Sequence, residues 1–229
     1  RVKVVVTFHC IDRYHQKWNW FARKMLLLGE KFACLFPHQT IVVSKTIQSY
    51  CQNEFYHQTT YIPNGVEKYS APVGSSLLSE WNLRPQKYLL TVTRLVRHKG
   101  VHYLIDAWQT ARQQNPELLN GYKLVVVGDS TFTDEYVREL KEMARGEDSI
   151  IFTGWQNGRS LAELFHNAVM MVHPSENEGL SLAVLRAMSL GKAVLVSDIS
   201  EQKELITDYR FWFANTNIDS LSHKIVENL

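Results

Sequence analysis

Residues 88–108 read Tyr88-Leu89-Leu90-Thr91-Val92-Thr93-Arg94-Leu95-Val96-Arg97-His98-Lys99-Gly100-Val101-His102-Tyr103-Leu104-Ile105-Asp106-Ala107-Trp108. A short apolar run, residues 88–92, has the length of a buried strand rather than of a helix. A hinge with three cations, Arg94, Arg97 and Lys99, follows and ends at Gly100, where the backbone can turn. A helix is predicted from residue 101 to about 112. Strand, polar hinge, helix is the repeating unit of a parallel α/β layer.

The same alternation continues outward in both directions. Downstream, strands are predicted at 123–127, 150–152, 169–173 and 193–197, with helices at 134–145, 161–166, 180–190 and 201–206. A weak strand near Phe211 and a last helix from Ile218 complete the series. Upstream, residues 2–8, 40–44 and 59–62 read as strands, separated by a helix over 18–36 and a short one ending near Tyr56. Pro63-Asn64-Gly65 is a strong turn signal, and periodicity is weak from there to about Pro85. The expected fold is α/β: a Rossmann-like, doubly wound parallel sheet over 87–229, a linker over 63–86, and part of a second Rossmann-like domain over 1–62.

Composition bounds the classes of function. The 229 residues are 45% hydrophobic and 21% charged, which excludes a disordered chain and a small disulfide scaffold. Residues 1–62 carry eight Lys/Arg against three Asp/Glu, and the remainder carries seventeen against twenty. The basic part is suited to a membrane surface or an acidic substrate, or is ordinary surface variation. Cys10, Cys34 and Cys51 show no metal-ligand spacing and fit reduced thiols, hence a cytoplasmic protein. No stretch approaches the roughly 18–20 apolar residues of a membrane span. The first residue, Arg1, and a terminal pattern that reads as an unfinished helix suggest a fragment.

In doubly wound sheets, ligands bind at the carboxyl ends of strands. His9, the loop 94–100, Gly128-Asp129-Ser130, Gly154-Trp155 and the loop 174–179 all occupy such ends. Cations beside free backbone N–H groups at a helix start suit a phosphate, while a run of surface cations is the plain alternative. In the second loop, Pro174-Ser175-Glu176-Asn177-Glu178-Gly179-Leu180-Ser181, the N–H groups of residues 179–181 are expected free at the first turn of the next helix. That arrangement reads as a second diphosphate cradle, or as a capped helix with Glu178 opposing its dipole.

Four motifs in order carry a resemblance: Ile62-Pro63-Asn64-Gly65-Val66; Thr93-Arg94-Leu95 with Lys99-Gly100; Pro174-Ser175 with Glu178-Gly179-Leu180; and Ala187-Met188 with Gly191-Lys192-Ala193-Val194. Together they resemble the retaining glycosyltransferases of the GT-B fold, family 4, and Thr7-Phe8-His9 resembles the strand-end Thr-x-His of that family's first domain. The resemblance implies a hexosyltransferase-type enzyme. It would move a sugar from a nucleotide-diphosphate donor to a glycan, lipid-linked or small-molecule acceptor with retention of configuration. It assigns catalytic roles to Glu178, Arg94, Lys99 and His9. Donor-binding roles go to Arg94, Lys99, Gly154, Trp155, Ser175, Glu178, Gly179, Leu180, Ser181 and Arg186. No cofactor and no metal is expected, since Asp-x-Asp is absent and Arg94, Lys99 and helix N-termini would counter the diphosphate.

The chain departs from the family at one position. The family pairs two glutamates separated by seven residues, and the second accepts bonds from the ribose hydroxyls. Here that position is Arg186, which has no acceptor. Loss of the contact costs about 1–3 kcal/mol unless a neighbour such as Glu204, or a water, replaces it. Three readings follow: an active transferase, a degenerate nucleotide-sugar-binding protein, and a sugar-nucleotide epimerase of the same fold. Among partners, nucleic acid is not expected. The segment with Arg13, Lys17, Arg23, Lys24 and Lys31 among Trp18, Trp20 and Phe21 reads either as peripheral contact with the inner face of a membrane or as helical core.

Overall fold

The computed structural model describes residues 2–14, 18–67 and 74–229. Lys17 and residues 68–73 of the expected linker lie outside them. The chain divides into two compact units. The first comprises Arg1–Gly65, Asn177–Leu182 and Ile199–Thr207; the second comprises Val66–Glu176, Ala183–Asp198 and Asp208–Leu229.

In the first unit, β1 (Val5–Phe8), β2 (Gln39–Val42) and β3 (Thr60–Tyr61) form a parallel sheet in the order β1-β2-β3. The connections are α1 (Trp20–Leu35) and α2 (Lys45–Phe55). Each helix starts at a side-chain cap, which satisfies an N–H that the helix itself cannot. Asn19 accepts from the Ala22 N–H at 2.9 Å, and Ser44 accepts from the Ile47 N–H at 3.2 Å. A second cap on α2 comes from far along the chain. Glu204, in α7 (Ser200–Leu205), accepts from the N–H groups of Lys45 at 2.8 Å and Thr46 at 3.2 Å, and from the Tyr61 hydroxyl at 3.5 Å. Its carboxylate neutralises the positive end of the helix dipole.

The second unit holds a six-stranded parallel sheet in the order β6-β5-β4-β7-β8-β9. Its strands are β4 (Tyr88–Val92), β5 (Lys123–Val127), β6 (Ile150–Gly154), β7 (Met170–His173), β8 (Ala193–Ser197) and β9 (Trp212–Phe213). The helices are α3 (Val101–Gln114), α4 (Asp134–Met143), α5 (Gly158–Asn167), α6 (Leu182–Ser189) and α8 (Ile218–Glu227). Strands β4, β5 and β7 are buried along nearly their whole length, as parallel strands covered on both faces should be. Trp108 is fully buried in the largest cluster, and its indole N–H is not stranded there: it donates to Ser149 Oγ at 2.8 Å.

Strands β4, β5 and β6 step one way across this sheet, and β7, β8 and β9 step the other. The order therefore reverses between β4 and β7, which pair directly through Leu89 with Met170 and Leu90 with Met171. Loops leaving adjacent strands in opposite directions open a crevice at their carboxyl ends, the usual ligand position in such sheets. The loops of this unit at the reversal are residues 93–100 and 174–176.

Candidate functional site at the sheet reversal

Arg94 is exposed at the end of β4. Residues Arg97–Lys99 then form a 3-10 turn, and Gly100 takes φ +69° before α3 begins. A Cβ on residue 100 would lie 2.0 Å from the Pro174 carbonyl oxygen. Glycine is therefore required twice, for the left-handed backbone and for the approach of the loop after β7. The two loops are joined by a bond from the Glu176 N–H to the His98 carbonyl at 2.9 Å. Two separate sequence motifs thus form one layer over the reversal.

Behind this layer the cations differ in their engagements. Arg97 pairs with Glu139 and lies over the Tyr136 ring at 5.0 Å from its centroid. Tyr136 accepts from the backbone N–H of His102 at 3.3 Å and stands 2.8 Å from His102 Nδ1. Burial first, and the Arg97 charge second, lower the His102 pKa to about 4. The imidazole is neutral at pH 7, and its tautomer sets whether Nδ1 accepts from the Tyr136 hydroxyl or donates to it. Arg97 thus belongs to the scaffold, whereas Arg94 is exposed at the strand end and Lys99 is half-buried in the turn.

The other expected donor residues of this unit take distinct positions. Gly154 ends β6 with φ +69°, and Trp155 follows it, exposed. Ser175 is fully buried, with its hydroxyl 3.3 Å from His173 Nε2 and its carbonyl accepting from Ser197 Oγ. Its side chain faces the interior, and its contribution to the loop is made by backbone. Arg186 lies in the last turn of α6, half-buried.

Glu178, Gly179, Leu180 and Ser181 fall in the first unit with His9. His9 is exposed directly after β1. A Cβ on residue 179 would stand 1.6 Å from the His9 carbonyl oxygen, so the strand end and this loop touch where only glycine fits. Asn64 Nδ2 donates to the Leu180 carbonyl at 3.2 Å, which brings the Pro63-Asn64-Gly65 turn to the same loop. Helix α6 starts at Leu182 rather than near Leu180, so residues 179–181 form the turn that precedes it. Sequence reading singled out the turn and the loop, but no local pattern signals that they meet.

Two further carboxylates stand in this unit. Glu201 is held above the usual carboxylate range by burial, with the charges of Glu178 and Glu204 adding to the effect. Glu204, named as a possible substitute for the ribose acceptor, has both oxygens engaged by α2 and Tyr61. Among the described residues, no three His, Cys, Asp or Glu side chains gather in a group suited to a metal ion. No helix among them is long and apolar enough to cross a membrane.

Residues 79–229 match the family model described as glycosyl transferases group 1. Over 198 residues the chain is 29% identical to an uncharacterized glycosyltransferase of Methanocaldococcus jannaschii, covering 80% of this chain and 49% of that protein. Over 157 residues it is 27% identical to O-antigen chain mannosyltransferase B of Escherichia coli, covering 67% of this chain and 39% of that one. The chain spans about half the length, or less, of these curated relatives. Among solved structures it is similar to Anabaena HepE in complex with UDP and glucose, with a TM-score of 0.80 at 22% identity over 98% of this chain and 61% of that one. Sucrose-phosphate synthase of Thermosynechococcus elongatus gives 0.78 at 22% identity over 97% and 57%. At these identities the likeness is one of fold, the Rossmann-like GT-B architecture. With its family model covering the sheet reversal and both loops, the chain belongs to the glycosyl transferases group 1 family.

Proposed function

We propose that the protein acts in sugar transfer from a nucleotide-diphosphate donor, with retention of configuration, to a glycan, lipid-linked or small-molecule hydroxyl. In this reading the bond from the anomeric carbon to the diphosphate is exchanged for one to the acceptor oxygen. The observation that carries it is the bonded pair of loops at the reversal of the second sheet, held by Gly100 against Pro174 and by Glu176 on His98. Arg94 and Lys99 are assigned to the diphosphate, whose charge rises as the nucleotide leaves, and no metal is assigned. Fixed cations contribute most when they are already in place before that charge develops. Glu178 and the N–H groups of Gly179 and Leu180 are assigned to the donor sugar, together with His9, and Gly154-Trp155 to the base. Relatives bearing mannosyltransferase and UDP-galactose transferase names support a hexose donor.

Arg186 favours a second reading, a protein that binds a nucleotide sugar without transferring it. The motif carboxylate is replaced by a cation, and Glu204 is engaged elsewhere. Both readings are tested by a thermal-shift panel of UDP-, GDP- and ADP-sugars, since a ligand specific to the native state raises its melting temperature. NMR of products from the stabilising donor then separates transfer with an α-to-α outcome from release of free sugar and from no reaction. No shift with any nucleotide sugar rejects both readings.

A further inference from the structure

Glu176 ends the part of the loop after β7 that belongs to the second unit, and it meets the loop after β4 at two points. Its backbone N–H donates to the His98 carbonyl at 2.9 Å, and its carboxylate accepts from the hydroxyl of Tyr103, in the first turn of α3. The two bonds bracket residues 98–103. Lys99 and Gly100 lie inside the bracket, so the turn that carries the Lys99 ammonium is closed into a ring by one residue of the neighbouring loop.

The Tyr103 ring is itself held in place. A Cβ on Gly100 would stand 3.3 Å from Tyr103 Cδ2, so the ring packs over the turn. The His102 ring centroid lies 3.9 Å from that of Tyr103, tilted at 41°, and the backbone N–H of His102 is tied to Tyr136. Burial first, then the charge and the bond of Glu176, hold the Tyr103 phenol above its ordinary pKa, with Arg97 opposing them. The phenol therefore keeps its proton at pH 7 and donates it to the carboxylate. A bond to an ionised acceptor is roughly twice as strong as one between neutral groups. An acidic side chain beside a loop assigned to a diphosphate repels that ligand and cannot receive it. Its place is explained by what it holds.

We infer that Glu176 and Tyr103 are positioning residues for the donor diphosphate: together they fix the Lys99–Gly100 turn before the ligand arrives. The identity of the ligand rests on the sugar-transfer reading, whereas the clamp is a property of the free protein. A cation whose backbone is fixed in advance loses less freedom on binding, and fixed charges stabilise a departing anion best.

The test pairs hydrogen exchange of the free full chain with isothermal titration. The titrant is whichever of UDP-glucose, GDP-mannose and ADP-glucose binds the parent most tightly. Tyr103→Phe removes the hydroxyl alone, and Glu176→Ala removes the acceptor. Each should speed amide exchange across residues 97–103 about ten-fold and weaken donor binding by about the same factor, the worth of one bond to a carboxylate. The double variant should be no weaker than either single one, because both remove the same bond. Glu176→Gln keeps an acceptor and should recover most of what Glu176→Ala loses. Both side chains are half-buried and no change adds bulk, so circular dichroism should report a folded chain throughout. Unchanged exchange in Tyr103→Phe overturns the clamp, whatever the ligand. Faster exchange with parent-like affinity overturns the positioning role, as does a double variant in which the two losses multiply. A parent that binds none of the three nucleotide sugars overturns the sugar-transfer reading and the donor role with it, while the exchange data still decide the clamp.

Discussion

The carbonyl oxygen of His9 occupies the position that a Cβ on Gly179 would take, 1.6 Å from its ideal site. The end of β1 and the loop after β7 are thus in backbone contact within the first unit, with Asn64 bonded to the next residue, Leu180. A side chain at 179 must push one of these segments away. Gly179→Ala should therefore lower stability by about 1–3 kcal/mol, the usual range for overpacking, and displace Glu178 together with its loop. Thermal melting measures the first effect and nucleotide-sugar affinity the second. An unchanged melting temperature would show that the two segments do not touch.

Arg94 is exposed, and its removal disturbs no packing. Loss of a charge-assisted bond to a diphosphate costs about 1.5–3 kcal/mol, or roughly ten- to a hundredfold in affinity. Arg94→Ala should weaken donor binding by that factor and leave melting of the free protein within about 0.5 kcal/mol of the parent. Arg97→Ala should show the reverse balance, because Arg97 supports the turn through Glu139 and Tyr136. Isothermal titration with a UDP-sugar, paired with melting curves, separates the two arginines.

Glu204 accepts from two N–H groups at the start of α2, across 159 positions of sequence. Its replacement by Ala leaves those donors without partners and removes a charge matched to the helix dipole. The expected cost is about 1–3 kcal/mol of stability. Nucleotide affinity should not change. A fall in affinity with intact stability would return Glu204 to the role of ribose acceptor.

The order of strands and helices was legible because each kind of element has its own apolar period and is bounded by Pro, Gly or Asn. The second sheet's strands begin and end within two residues of the sequence reading. The loops at its reversal were legible too, since cations and glycine stand where a strand gives way to a helix. Periodicity, however, reports that a helix has two faces and not which is covered. For α1 the apolar stripe was readable and the burial of the opposite face was not, because the rotation is set by Glu30, which bonds Tyr50 and pairs with Arg13. Contacts such as Gly179 with His9, or Glu204 with Lys45, join distant positions by backbone geometry and leave no local signature. The start of α6 was placed two residues early because Leu180 and Ser181 can enter a helix but are spent on the turn that meets Asn64.

His102 gives the second unit an acid-sensitive point. Burial first, and the Arg97 charge second, disfavour its protonated ring, whose Nδ1 stands 2.8 Å from the Tyr136 hydroxyl. The folded pKa, about 4, lies below the ordinary value of 6.5, so the unfolded chain binds the proton more readily between those limits. Stability is then full above pH 6.5 and falls as pH drops toward 4, by an amount that solvent around the half-buried ring screens. Melting temperature against pH should show this loss in the parent and a flatter profile in His102→Gln over the same window. Parallel profiles would mean that the ring is not held neutral.

Arg186 lies in the last turn of α6, where a cation opposes the negative end of the helix dipole. Replacing it by Glu reverses that interaction and should cost about 0.3–1 kcal/mol of stability. In the proposed reading the same change supplies an acceptor for the ribose hydroxyls. Arg186→Glu should therefore melt earlier yet bind a ribonucleotide about five to a hundred times more tightly. A general effect of charge would go the other way, since a new carboxylate repels a diphosphate. The gain must also vanish with a 2′,3′-dideoxynucleotide, which has no ribose hydroxyl to donate. Equal gains with both ligands would reject the ribose contact, and a loss with both would assign Arg186 to the phosphates themselves.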